Sequence, residues 1–183
     1  MLEHLLLRHA SPTLAGIKTA NLFSCSADCE KEISSCIRNW NQVLNPKGVY
    51  LKMLRYDGKS ALLYCYRQRR LQAELLDAAR SEFLRRFGYD CHCIDSCLAH
   101  LKTRIEAEPF PHEIGVFLGY PLHDIQAFIV NKGQNYKVCG HWKAYENVPQ
   151  AQKTFALYKK CTKAYCDQFA KGKAITQLAV AGK

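Results

Sequence analysis

The fold expected for this chain is built around one stretch, Phe110-Pro-His-Glu-Ile-Gly-Val-Phe-Leu-Gly-Tyr-Pro-Leu-His-Asp124. Its apolar part, Ile114 to Leu118, is short and is bounded by proline and glycine, a pattern typical of a buried strand. Pro121 suits the first turn of a helix over about 121–131, which Gly133 would end. The sequence therefore predicts a strand followed directly by a helix.

The polar residues of this stretch fall into two groups, one at each end of the predicted strand. His112 and Glu113 precede the apolar run, and Tyr120, His123 and Asp124 follow it. A five-residue strand spans roughly 17 Å. The two groups can therefore share a site only if the chain folds back on itself.

Length and composition predict an ordinary globular protein. A chain of 183 residues is expected to form a single domain over 1–183, and its tail, 172–183, is open to fraying. No segment approaches the ~20 consecutive apolar residues of a membrane span. The run Leu5-Leu6-Leu7 is too short for the apolar region of a signal peptide. We expect a cytoplasmic protein with no membrane partner.

The chain is rich in cysteine, with 10 residues of this type. Without an export signal, reduced thiols that serve as small buried hydrophobes are expected. The densest cluster is Cys91–Cys97, and a helix over about 94–106 would place Cys93, Cys97 and His100 nearly on one face. Thiolates and imidazole are ligands for zinc or iron. The spacing matches no standard zinc-finger or ferredoxin pattern, so ordinary thiols are the favoured interpretation and a metal site is the alternative.

The net charge of +10 is unevenly distributed. Residues 132–183 carry ten basic and two acidic side chains, whereas residues 91–131 carry two basic and five acidic ones. Such a basic region suits an anionic small molecule or an acidic protein such as a flavodoxin. A solvated lysine-rich helix face is the simpler interpretation. A nucleic-acid partner is not favoured, although the charge does not exclude it.

Periodicity and turn signals predict the remaining elements. Asp57-Gly58 lies between two β-like runs and predicts a β-hairpin over 49–67. Leu2 to His9 suits a short helix or strand, and Ser11-Pro12 suits a helix start. Other predicted elements are helices over about 27–44, 68–87, 94–106 and 148–171 and a strand over 136–145. The predicted fold is α/β or α+β, with a sheet of about four strands covered by four to five helices.

Several motifs along the chain carry a family resemblance. They are Leu7-Arg8-His9, Pro12 to Lys18, Asn21-Leu22-Phe23, Tyr64 to Arg67, Phe87-Gly88-Tyr89, Phe110 to Pro121, Cys139 to Tyr145 and Tyr158 to Cys161. On these motifs the chain resembles the domain of unknown function 3793 family, an uncharacterised family of mostly anaerobic bacteria. His141 and the Cys91–Cys97 cluster depart from the family pattern. The departure of the cluster argues against it as a site shared by the family. Because the family is uncharacterised, the resemblance implies little about activity.

The family-like motifs contain side chains that bind anions or transfer protons. Lys18, Arg67 and Lys143 are candidates to hold an anionic ligand. His112 and Glu113 are candidates for acid/base catalysis. Tyr120 and Asp124 are further candidate ligand-binding residues. Gly119-Tyr120-Pro121 would also present the amides at the start of the following helix, which suit an anion. We predict that at least three of Lys18, Arg67, His112, Glu113 and Lys143 converge on one pocket.

These residues favour a small-molecule or cofactor-binding protein, and whether it is an enzyme acting on an anionic substrate stays open. One alternative is a zinc or iron protein that uses His112, Glu113, His123 and Asp124, or the cysteine cluster. Another is an interaction module whose basic C-terminal helix binds an acidic redox protein. No nucleotide-binding or metalloprotease motif is present, and no particular cofactor is indicated.

Overall fold

A three-stranded antiparallel sheet of order β1-β3-β2 forms the centre of the molecule. The computed structural model describes residues 2–107 and 109–182. The strands are β1 (Ala20–Ser26), β2 (Val49–Tyr56) and β3 (Ser60–Arg67), with a separate two-stranded hairpin of β4 (Val138–Cys139) and β5 (Lys143–Ala144). The α-helices are α1 (Leu2–Leu14), α2 (Glu30–Leu44), α3 (Gln68–Leu76), α4 (Ala78–Arg85), α5 (Ile94–Glu106), α6 (Ile114–Phe117), α7 (Leu122–Val130), α8 (Val148–Ala170) and α9 (Ile175–Leu178). The predicted mixed helix-and-sheet fold is confirmed.

The hairpin of β2 and β3 was predicted from Asp57-Gly58 and is confirmed. Gly58 has a φ of +88°, a conformation that side chains with a Cβ rarely adopt. The Asp57 carboxylate accepts hydrogen bonds from the backbone N–H groups of Lys59 and Ser60 at 3.0 and 2.7 Å. The turn is therefore held by its own side chain as well as by backbone geometry.

Alternating residues of β3 point into two separate hydrophobic cores. Leu63 and Cys65 pack with α1, α2 and α9 on one face of the sheet. Tyr64 and Tyr66 pack with α3 to α7 on the other face. This alternation follows from the two-residue period of a strand. The sheet thus lies between two helical layers.

The central stretch is helical, and the predicted strand over Ile114 to Leu118 is wrong. The backbone N–H of Val116 donates to Glu113 O at 3.0 Å, and α6 covers Ile114–Phe117. Gly119, with a φ of +72°, ends the turn, and the N–H of Tyr120 donates back to Gly115 O at 2.9 Å. A short buried apolar run has the same composition in a helix as in a strand, so its periodicity cannot distinguish them.

Other boundaries differ from the prediction for local reasons. The predicted helix over 68–87 is interrupted at Asp77, where the backbone is extended and the side-chain Oδ1 caps α4 by accepting from Arg80 N–H at 3.0 Å. Pro12 lies inside α1, so Ser11-Pro12 is not a helix start. The predicted strand over 136–145 is instead the β4–β5 hairpin, with Gly140 in its turn. The helix predicted over 94–106 matches α5.

The tail that was expected to fray is attached to the rest of the molecule as far as it is described. Ile175 of α9 is fully buried. Val180 N–H donates to Leu14 O at 3.0 Å, and Gly182 N–H donates to Lys47 O at 3.0 Å. Among the described helices, none combines the length and apolar content that crossing a membrane requires.

Candidate functional site

An apolar cleft of about 280 Å³ lies between α6–α7 and the β4–β5 hairpin. We call it the aromatic cleft, and its walls include His112, Tyr120, Asp124, Phe128, Trp142 and Lys143. The Tyr120 and Trp142 ring centroids are 5.2 Å apart, and those of His112 and Phe128 are 5.0 Å apart. Four candidate residues of the sequence analysis, His112, Tyr120, Asp124 and Lys143, therefore line one cleft.

Asp124 holds the β4–β5 hairpin onto α7. Its side chain is buried, with 3% exposed. Oδ2 accepts from Trp142 Nε1 at 2.8 Å, and Oδ1 accepts from the backbone N–H of Tyr145 at 2.8 Å and of Glu146 at 3.3 Å. Its position in the first turn of α7 adds the favourable field of a helix N-terminus. The carboxylate thus fixes Trp142 in the cleft wall.

Lys143 supplies positive charge to the aromatic cleft. Its Nζ donates to Gly133 O at 2.8 Å and lies 4.7 Å from the Tyr136 ring centroid and 5.7 Å from that of Phe128. An ammonium group has three N–H donors, so one carbonyl acceptor leaves donor capacity for a ligand. The half-buried Lys143 is therefore positioned to bind an anionic group at the edge of the cleft.

His112 and Glu113 point to different places, so they do not form a joint acid/base pair. His112 is exposed at the cleft. Glu113 is 1% exposed, and its Oε1 accepts from Arg104 Nε at 3.0 Å and from the Tyr89 hydroxyl at 3.2 Å. Burial and the Glu113 carboxylate raise the pKa of Tyr89 far above its ordinary value. Glu113 therefore belongs to an ion pair within the fold, in which the carboxylate is buried and Arg104 is partly exposed.

Arg67 is also a structural residue. The guanidinium is 4% exposed. It donates to Thr13 O at 2.7 Å and to Lys47 O at 2.9 Å, and it also donates to Leu14 O. These carbonyls lie at the end of α1 and next to Gly48, where backbone acceptors lack helical partners. Arg67 therefore joins α1 to the β2–β3 hairpin.

Lys18 lies in a second cavity of about 380 Å³, which we call the Lys18 cavity. Tyr120 lines both this cavity and the aromatic cleft. Lys18 is 4% exposed, and its Nζ lies 5.3 Å from the Tyr120 ring and 5.8 Å from the Tyr158 ring. Burial lowers the pKa of Lys18 to about 8. Burial, followed by the charge of Lys18, lowers the pKa of His141.

The prediction that three of Lys18, Arg67, His112, Glu113 and Lys143 share one pocket is wrong, because only His112 and Lys143 do. Buried charges can be neutralised by long-range partners that a sequence does not reveal. The sequence analysis also missed Phe128 and Trp142 as cleft residues. Trp142 could have been found as a large amphipathic ring next to Lys143.

Cys93, Cys97 and His100, the side chains of the alternative metal site, are not grouped together as a set of ligands. Cys97 Sγ donates to Asp90 O at 2.9 Å, His100 Nε2 is hydrogen-bonded to Phe87 O at 2.9 Å, and Cys93 is exposed. Across residues 2–107 and 109–182, no three His, Cys, Asp or Glu side chains are grouped as a metal would require. His123, from the alternative ligand set, is exposed, with its Nε2 3.6 Å from Asp124 Oδ1. All ten cysteines are free thiols.

The basic C-terminal helix is α8, one side of which packs against α1. Its lysines off the buried stripe, Lys153, Lys159, Lys160 and Lys163, are exposed. Both a solvated face and a surface for an acidic protein have this property. The acidic redox partner therefore stays a prediction.

Comparison with known proteins identifies a family. A family model described as a protein of unknown function, DUF3793, matches residues 6–179. No curated protein and no solved structure matches the chain. The match covers nearly the whole chain, including every element from α2 to α8. The chain therefore belongs to the DUF3793 family of proteins of unknown function.

Proposed function

We propose that this protein binds a small, flat, aromatic anion in the aromatic cleft. The observation that carries the proposal is the combination of aromatic walls with one half-buried lysine at their edge. Tyr120, Phe128 and Trp142 offer ring faces for stacking, and Lys143 offers an ammonium group. Ligand pockets typically combine an apolar lining with a few polar groups that orient the ligand.

The size of the cleft limits the ligand to a small molecule. A volume of about 280 Å³ is just below the ~300–1,000 Å³ range of ligand pockets. A one- or two-ring carboxylate suits this space better than a dinucleotide. Asp124 does not repel such a ligand strongly, because three N–H donors already face its carboxylate.

Tryptophan fluorescence tests this proposal directly. The chain has two tryptophans, so Trp40→Phe leaves Trp142 as the only indole reporter. In that background, benzoate and nicotinate, neither of which contains an indole, are titrated and the emission of Trp142 is measured. We expect saturable quenching by at least one of the two carboxylates, because the ligand would contact the Trp142 ring.

A charge variant then separates stacking from ion pairing. Lys143→Met should weaken carboxylate binding by about tenfold, the scale of one charged hydrogen bond, and should change the binding of neutral benzamide little. Lys137→Met removes the same charge from an exposed lysine next to β4 that is not a wall of the cleft, so it is the matched control. The proposal fails if neither carboxylate changes the emission, or if the two lysine variants bind equally.

A further inference from the structure

The Lys18 cavity is walled by positive and neutral polar groups from four parts of the fold. Arg8 and His9 come from α1, Asn21 comes from β1, and His141 comes from the β4–β5 turn. Thr162 of α8 also lines the cavity. Among the described residues, no Asp or Glu lines this cavity.

The ammonium group of Lys18 has no acidic or hydrogen-bonding partner within residues 2–107 and 109–182. Its described neighbours are the faces of the Tyr120 and Tyr158 rings, at 5.3 and 5.8 Å. Arg67, by contrast, donates to three backbone carbonyls. A buried charge without such partners is costly, and ring faces offset only part of that cost.

Asn21 and Arg8 supply further hydrogen-bond donors to the cavity. Asn21 Oδ1 already accepts from Thr13 Oγ1 at 2.7 Å, which leaves the Asn21 amide N–H groups as donors. The exposed Arg8 guanidinium carries a fixed positive charge at the cavity. A ligand for such a wall must accept hydrogen bonds and carry negative charge.

We propose that the Lys18 cavity binds a small oxyanion, with Lys18 as the buried ion-pair partner and Arg8 as the outer one. The oxyanion group is a carboxylate or a phosphate, since both present several acceptor oxygens to such donors. This site is distinct from the aromatic cleft, because its charge comes from Lys18 rather than Lys143. Tyr120 separates the two spaces and lines both.

Calorimetric titration with inorganic phosphate and, separately, with acetate tests this site, with sodium chloride at equal ionic strength as the reference. We expect phosphate, acetate or both to bind above the chloride reference, and the anion that binds identifies the oxyanion class. Lys18→Met should weaken binding at least tenfold. Arg8→Gln, at an exposed position that does not endanger folding, should weaken it severalfold.

Two control variants make the result specific. Lys59→Met removes one exposed positive charge in the turn before β3, and it should bind the anion like the unaltered protein. Lys143→Met should also leave this binding unchanged, so that failure of the aromatic-cleft proposal and failure of this one are distinguishable. The proposal is overturned if neither anion binds above chloride, or if Arg8→Gln and Lys18→Met both bind as tightly as Lys59→Met.

Discussion

At the scale of single residues, three buried charges are accommodated in three different ways. Arg67 donates to backbone carbonyls, Glu113 pairs with Arg104, and Lys18 faces two aromatic rings. Arg67 and Glu113 find their partners within the fold, and replacing either residue would leave buried groups without partners. For Lys18 the described neighbours are those two rings, and burial lowers its pKa to about 8.

The lowered pKa of Lys18 predicts a pH-dependent stability. Below pH 8 the ammonium is charged in both the folded and the unfolded chain, so the full cost of burying it is present. As the pH rises from about 8 to the ordinary value of 10.5, the folded protein loses this proton while the unfolded chain keeps it. The free energy of unfolding contributed by this position therefore rises, by on the order of 3 kcal/mol over the whole window.

Urea unfolding of the unaltered protein and of Lys18→Met, in buffers without phosphate or carboxylate, measures this contribution. Met has no charge to bury, so the variant should have a higher free energy of unfolding than the unaltered protein at pH 7. This difference should disappear by pH 10. The tyrosine and cysteine side chains titrate in both proteins, so their contributions cancel in the difference between the two free energies of unfolding. A stability difference that does not change with pH would contradict a desolvated ammonium at this position.

At the scale of elements, the β4–β5 hairpin depends on a side chain for its position. Each strand has only two residues, and an isolated hairpin of this size is marginal in water. Asp124 attaches it through Trp142, Tyr145 and Glu146. The shape of the aromatic cleft therefore depends on one carboxylate.

Asp124→Asn should loosen this hairpin while preserving the volume of the side chain. The amide has one oxygen where the carboxylate had two, so one N–H donor loses its acceptor, at a cost of about 1–3 kcal/mol. Hydrogen exchange should become faster at the amides of Tyr145 and Glu146 and should stay slow in β3. Asp167→Asn, at an exposed position of α8, is the control, and equal exchange in both variants would argue against anchoring by Asp124.

The helices and strands differ in how well the sequence predicts them. Long periodic segments such as α5 and α8, and the Asp57-Gly58 hairpin, follow local rules and are predicted within a few residues. The short run Ile114 to Leu118 follows no distinctive local rule, because burial on all sides removes its periodicity. The helix break at Asp77 depends on one side chain that can cap a helix as easily as it can face solvent.

The candidate site is predicted less well, and the reason is the separation of partners along the chain. Arg67 contacts the Thr13 carbonyl 54 positions away, so no local pattern distinguishes it from a ligand-binding arginine. Glu113 and Arg104 are nine positions apart, a spacing that no local pattern pairs. His112, Tyr120 and Lys143 do meet at one cleft, because α6, α7 and the β4–β5 hairpin pack together there.

At the scale of the whole molecule, β3 makes the two hydrophobic cores depend on each other. Leu63 fills one core and Tyr64 fills the other, and both are fully buried. The Tyr64 hydroxyl also donates to Phe117 O at 2.6 Å, which ties the sheet to α6. If β3 detached from one core, the other core would therefore also be exposed to solvent.

Differential scanning calorimetry should therefore show one heat-absorption peak, with equal calorimetric and van't Hoff enthalpies. Leu63→Ala on one face and Leu75→Ala on the other should each move that whole peak to lower temperature, since each deletes a fully buried side chain at a cost of about 2–5 kcal/mol. Two separate peaks, with each variant moving only one of them, would show that the cores melt independently.

Because the side chains of β3 alternate between the two cores, a molecule bound on one side of the sheet also stabilises the other side. A ligand that binds only the folded form raises the free energy of global unfolding by mass action. The innermost amides of α1 exchange through that same global event, because the two cores share one strand. Occupancy of a cleft beside α7 would therefore be detectable as slower solvent exchange in α1, on the opposite side of the sheet, without any movement passing between them.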